Sequence, residues 1–215
     1  MAFKFIFAGL LVVLLSSWEI DAHGRLMEPV NRGSAWRKGF QTPKNYDDNA
    51  NFCGGFGIQH GSKNKGRCGT CGDNFADPQP RDNENGGKYG TGTIVRRYSP
   101  GEHIELQVLI TANHMGHFEF SLCPLNSTME LETEECFDAH RLYLIDGSLE
   151  YPVAGGVLGM FNMTVALPPG LTCEHCVLRW HYHCGNNWGI CPDGTGRVGC
   201  GRQENFRTCS DIAIL

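Results

Sequence analysis

Eleven cysteines spread through 215 residues, behind an apolar N-terminal segment, constrain this chain more than any other feature. In that setting thiols pair, and a disulfide framework is expected. Lys4 supplies a small positive region, residues 5–15 form an apolar run, and a short stretch ends on Ile20-Asp21-Ala22. This is the layout of a secretory signal peptide. The run is too short for a membrane-spanning helix, which needs roughly 20 residues. Residues 1–22 are therefore read as a leader removed after Ala22, and residues 23–215 as one secreted domain. A cut after Ser17 would instead leave His23 inside the peptide.

Two C-x-x-C pairs, Cys68/Cys71 and Cys173/Cys176, have the spacing of a four-thiolate zinc site. The leader and the other seven cysteines favour disulfides instead, and neither pair opens a helix in a redox-motif context. The odd count leaves one thiol over, for which Cys184 is the candidate. Asn126 and Asn162 head N-glycosylation sequons, in agreement with secretion. A formal net charge of −5 argues against a nucleic-acid partner, which needs a basic surface. No basic block or amphipathic helix suggests a membrane surface, and a monomer is expected.

Residues 23–92 show little periodicity and are rich in Gly, Asn, Asp and Pro. They are expected to form a long loop region with short helical turns, held by disulfides rather than by a core of its own. From Thr93 the texture changes. Residues 93–98, 103–110, 117–122, 161–167, 176–182 and 209–215 carry the alternation or apolar content of strands, divided by turn signals such as Ser99-Pro100-Gly101. The fold expected is mainly β, a two-sheet antiparallel sandwich with long disulfide-stapled loops.

Cleavage after Ala22 would make His23 the first residue, offering a metal both its α-amine and ring Nδ1. His114, in the connection Thr111-Ala112-Asn113-His114-Met115-Gly116, sits where strands meet at one end of a sandwich and where functional loops gather. Three nitrogens from these two residues form a T-shaped set. Nitrogen-rich tetragonal geometry suits Cu(II). His117 begins a strand and is expected to point into packing. His181 and His183, alternating beside aromatic residues, are read as a packed or solvated face.

The mature start His23-Gly24-Arg25-Leu26, the turn Thr111-Ala112-Asn113-His114 and the segment Gly189-Ile190-Cys191-Pro192-Asp193-Gly194-Thr195-Gly196 carry a resemblance. So do Gly199-Cys200-Gly201-Arg202-Gln203-Glu204-Asn205-Phe206-Arg207 and the ending Cys209-Ser210-Asp211-Ile212. Together they span essentially the whole mature chain, which resembles the lytic polysaccharide monooxygenases of auxiliary activity family 15, the animal branch that includes arthropod enzymes. The resemblance implies an immunoglobulin or fibronectin III-like sandwich and one copper ion per chain, held by His23 and His114. Phe206 would fill the axial direction, Ala112 would crowd the opposite side, and Glu204 and Gln203 would stand near bound oxygen species. The catalytic set implied is His23, His114, Phe206 and Glu204.

The activity implied is oxidative cleavage of a β-1,4-linked polysaccharide, chitin before cellulose, by hydroxylation at C1 or C4 beside the glycosidic bond. An external electron donor, small molecule or protein, and O2 or H2O2 as co-substrate belong to that chemistry. A hydrolase is disfavoured because nothing here calls for two positioned carboxylates. Two alternatives stand beside the enzyme: a non-catalytic secreted chitin-binding or matrix protein, and a copper-handling protein without turnover. Trp36, Phe40, Tyr46 and Phe56 are aromatic residues of the loop region that could supply stacking surface.

Overall fold

In the strand over His103–Ala112, Ile104, Leu106, Val108 and Ile110 are buried while Glu105 and Thr111 face outward. Burying each such aliphatic side chain contributes about 1.5–3 kcal/mol, so the alternation itself decides which face turns inward. The computed structural model describes residues 23–215. The leader expected over residues 1–22, with its expected cut after Ala22, lies outside the described residues.

Eleven strands follow in chain order: β1 (His23–Glu28), β2 (Arg96–Tyr98), β3 (His103–Ala112), β4 (His117–Pro124), β5 (Tyr143–Leu144) and β6 (Tyr151–Pro152), then β7 (Gly159–Ala166), β8 (Cys173–His183), β9 (Trp188–Ile190), β10 (Gly196–Val198) and β11 (Asn205–Ile214). One sheet has the order β1-β3-β7-β5 and the other β2-β11-β8-β4-β6, with β9 and β10 forming a separate hairpin. The two sheets make the sandwich that the strand pattern predicts. One pairing departs from it, because β2 runs parallel to β11.

Between the sheets lie Phe118, Phe120, Leu122, Leu178, Trp180, Tyr182, Phe206 and Ile212 from one side, and the β3 and β7 residues from the other. The rings interlock: Phe118 meets Trp180, Tyr182 and Phe161 edge-on, with centroids 5.0–5.6 Å apart. Such pairs contribute roughly 0.5–1.5 kcal/mol each beyond their area. The outer face of the second sheet is covered along β11 by residues of the 23–92 region, through Arg32 on Asp211, Cys71 on Cys209 and the Asn51 carbonyl on the Arg207 N–H, and by a short helix at one end. There Cys123, Val177 and Cys209 pack beneath Phe137 of the short helix Glu134–Ala139.

Residues 23–92 differ from the sequence expectation in two ways. The first six form β1, an edge strand on β3, because β3 offers an unpaired edge that Leu26 can cover with its buried side chain. The rest is held by buried polar bonds as well as by disulfides. Arg32 grips both carboxylate oxygens of Asp211 on β11 at 2.9 and 2.7 Å, and reaches Glu132 at 2.6 Å. Cys53–Cys68 closes the loop region on itself, and Cys71–Cys209 ties it to β11 across 138 residues. Cys123–Cys136, Cys173–Cys176 and Cys191–Cys200 complete the framework, and Cys184 is the buried free thiol.

Candidate metal centre

The register of β1 on β3 sets His23 opposite Ala112, with the Thr111 hydroxyl donating to the His23 carbonyl at 3.2 Å. Gly24 follows in a crowded place. A Cβ there would lie 2.6 Å from Ile110 Cδ1 and 3.2 Å from the Trp180 ring, so the start of β1 lies tightly on the core. His23 therefore stands opposite the residue two positions before His114.

His114 is held by a built turn rather than by chance. Asn113 Oδ1 accepts from the Met115 N–H at 2.7 Å, an Asx turn, while its Nδ2 donates to the carbonyls of Ala154 and Val157. Met115 (φ +56°) and Gly116 (φ +92°) both take the left-handed region, which a non-glycine residue adopts only at a cost. Gly116 packs backbone to backbone against β8: a Cβ on it would lie 1.9 Å from the His183 carbonyl oxygen. The His114 carbonyl accepts from Gly185 N–H at 2.8 Å, and the His114 N–H donates to the Tyr182 hydroxyl at 3.0 Å.

The Glu204 carboxylate, buried, lies 3.4 Å from His114 Nδ1. A carboxylate at one ring nitrogen favours the tautomer with its proton there and its lone pair at the other, which is how metal-binding imidazoles are oriented. Cys184 Sγ belongs to the same cluster. Burial, and then the Glu204 charge, hold its thiol far above the ordinary cysteine range, so it is a neutral thiol at neutral pH. Burial also raises the Tyr182 phenol, which remains neutral.

Phe206 is fully buried and stands opposite Tyr182 across β11 and β8. Its ring lies 5.9 Å from Phe52, which in turn lies 6.5 Å from the His23 ring. Phe52 is absent from the sequence reading. Its only signal there is an aromatic next to Cys53 in an aperiodic loop. Phe52, Gly54 to Ile58, His114, Asn186, Asn187 and Glu204 line an open cleft of about 580 Å³.

Four residues singled out in the sequence thus gather at one end of the sandwich: His23, His114, Glu204 and Phe206. Gln203 does not join them. Its side chain clips the Asn187 backbone in both directions and the Cys200 carbonyl, because residues 199–203 must be held against residues 185–189. Of the loop aromatics, Phe56 lines the cleft, Trp36 and Tyr46 pack edge-on to each other, and Phe40 leans on the core. His117 does not point into packing. Its neighbour Phe118 takes the core side, so alternation turns His117 outward to stack on His183 with centroids 4.8 Å apart. His181, on the same face, is buried.

The donors present fit a copper ion: two imidazoles on neighbouring backbone segments, a carboxylate behind one of them, and an apolar ring wall of Phe52 and Phe206. The model of a family described as lytic polysaccharide mono-oxygenase, cellulose-degrading, matches residues 23–212. Among solved structures, the lytic polysaccharide monooxygenase AA15 from Thermobia domestica in the Cu(I) state is similar at 47% identity and a TM-score of 0.87. That likeness covers 89% of this chain and 98% of the other. No curated protein matches the chain.

Proposed function

We propose, given that the chain belongs to the lytic polysaccharide monooxygenases and is a copper-dependent polysaccharide monooxygenase, that it is secreted and acts on crystalline chitin. Residues 1–22 are the leader, and its removal after Ala22 activates the enzyme. The mature domain, residues 23–215, works as a monomer with one copper per chain.

His23 would hold the metal through its α-amine and ring Nδ1, and His114 through the ring nitrogen that faces away from Glu204. Copper bound there supplies one-electron redox chemistry, which with an external electron donor and O2 or H2O2 hydroxylates a C–H bond beside a glycosidic linkage. The chain's own residues supply placement. Glu204 would fix the His114 tautomer, and it lines the cleft beside that histidine. Phe206 and Phe52 close one side of the site to water with apolar rings. Ala112, opposite His23 in the register, crowds another. Asn113 and Gly116 hold the turn that aims His114.

The observation that carries this reading is the β1–β3 register, which sets His23 beside the His114 turn at the mouth of the cleft. The test is product analysis after incubating the copper-loaded mature chain with crystalline chitin or cellulose, ascorbate and peroxide. Oxidised chitin oligosaccharides from the wild type and none from His114→Ala are expected. Undiminished cleavage by His114→Ala overturns the ligand assignment, and oxidised products from cellulose alone overturn the substrate.

A further inference from the structure

The outer face of the second sheet carries a second cluster of metal-ligating side chains, apart from the cleft. Strand register opposes His117 on β4 to His183 on β8, and Glu119 follows His117 on the same face. The rings of the two histidines stack at 4.8 Å and 22°. Glu119 reaches both, its Oε2 lying 3.2 Å from His183 Nε2 and its Oε1 3.9 Å from His117 Nε2. Glu150, just before β6, places a carboxylate oxygen 3.8 Å from the same His117 nitrogen.

We propose that His117, His183 and Glu119 form a binding site for a divalent cation of the zinc class, with Glu150 completing it. Two imidazole nitrogens and a carboxylate are a zinc donor set. With metal–ligand bonds of about 2.0–2.1 Å, tetrahedral ligand atoms stand about 3.3 Å apart. One donor atom from each of His117, Glu119 and His183 lies within 4.8 Å of the others, with His183 Nε2 and Glu119 Oε2 already at 3.2 Å, so side-chain rotations bring them to that spacing. Arg141 binds the Glu119 oxygen Oε1 at 2.5 Å and leaves Oε2, the one nearer His183, turned toward the cluster.

The placement also ties the cation to the fold. His117 starts β4 immediately after Gly116, and His183 is the last residue of β8, ahead of Cys184, whose N–H donates to the Glu204 carbonyl at 3.1 Å. A cation here clamps β4 to β8 behind the turn that carries His114. It orders that turn without entering the cleft.

The experiment titrates untagged, copper-loaded mature protein with Zn(II) by calorimetry, while the Cu(II) electron paramagnetic resonance spectrum reports on the first site. One equivalent of zinc bound with the copper spectrum unchanged is expected. His183→Gln and Glu119→Gln should each weaken zinc about tenfold or more, and a copper spectrum like that of the wild type shows that each variant is folded. Co(II) added to the wild type should give the visible absorption of four-coordinate cobalt, a readout that needs no variant. Absence of a zinc equivalent, zinc that binds only by displacing copper, or variants that bind zinc like the wild type overturns the proposal.

Discussion

Gly116→Ala is the sharpest test of how this structure presents His114. At φ +92° an alanine sits in the left-handed region, which costs an L side chain about 1–2 kcal/mol. Its Cβ would lie 1.9 Å from the His183 carbonyl oxygen, 2.9 Å from the Cys184 carbonyl carbon and 3.0 Å from the Gly185 nitrogen. All three are backbone atoms of the chain segment that also hydrogen-bonds the His114 carbonyl, so no flexible side chain can yield. Overpacking of this kind costs about 1–3 kcal/mol. Together these terms predict a loss of about 2–5 kcal/mol, or about 4–20 °C in Tm for a domain of this size.

Relief must come from moving the 113–116 turn away from β8, and His114 moves with it. Copper affinity should therefore fall along with stability, and the copper-induced rise in Tm should shrink. Gly170→Ala is the control, because a Cβ there meets nothing within 4 Å. Its melting curve should match the wild type. Thermal unfolding with and without copper, followed by circular dichroism, measures both quantities. A Gly116→Ala protein that melts within two or so degrees of the wild type and binds copper equally well would falsify the steric argument.

Arg32→Ala should cost about 3–5 kcal/mol, because it leaves the buried Asp211 and Glu132 carboxylates without their shared cation; urea denaturation measures it. Burial alone would raise the Asp211 pKa, but the Arg32 charge and the His175 hydrogen bond outweigh it and hold the carboxyl at about 2. Its contribution, on the order of 2–3 kcal/mol, is therefore complete above about pH 4 and lost as pH falls through about 2. Asp211→Asn should flatten that acid limb in a pH series of melting curves, and an unchanged limb refutes the assignment. One extra residue ahead of His23 should abolish copper-dependent cleavage while leaving Tm in chelator unchanged; activity equal to the wild type refutes bidentate binding by His23. Glu204→Gln keeps a hydrogen-bond acceptor near His114 Nδ1 but removes its charge. It should lower copper affinity by about tenfold or more, read by competition with a chelator, and equal affinity sinks the orienting role.

Much of the sandwich is legible along the chain because alternation is a local property. β3 and β7 alternate cleanly enough to be placed within a residue or two. β8 is legible by apolar content rather than alternation, since both of its faces are buried over much of its length. β1 is not legible: His23 to Glu28 holds a glycine and two charged residues, and becomes a strand only because β3 offers it an edge. β2 shrinks to three residues because its pairing with β11 is parallel and brief. Cysteine partners are equally hidden. Cys68 and Cys71 share a C-x-x-C spacing yet belong to different disulfides, one of them reaching Cys209.

What the chain determines by itself is what short-range physics can write: inward and outward faces, turn positions, and a histidine in the turn after β3. Only tertiary structure decides which side chains meet. Register across strands brings His23 to Ala112, sets Glu204 behind His114, slips Phe52 between His23 and Phe206, and turns His117 out to face His183. Those neighbours are distant in sequence, and a one-residue slip in any pairing would send them to opposite faces.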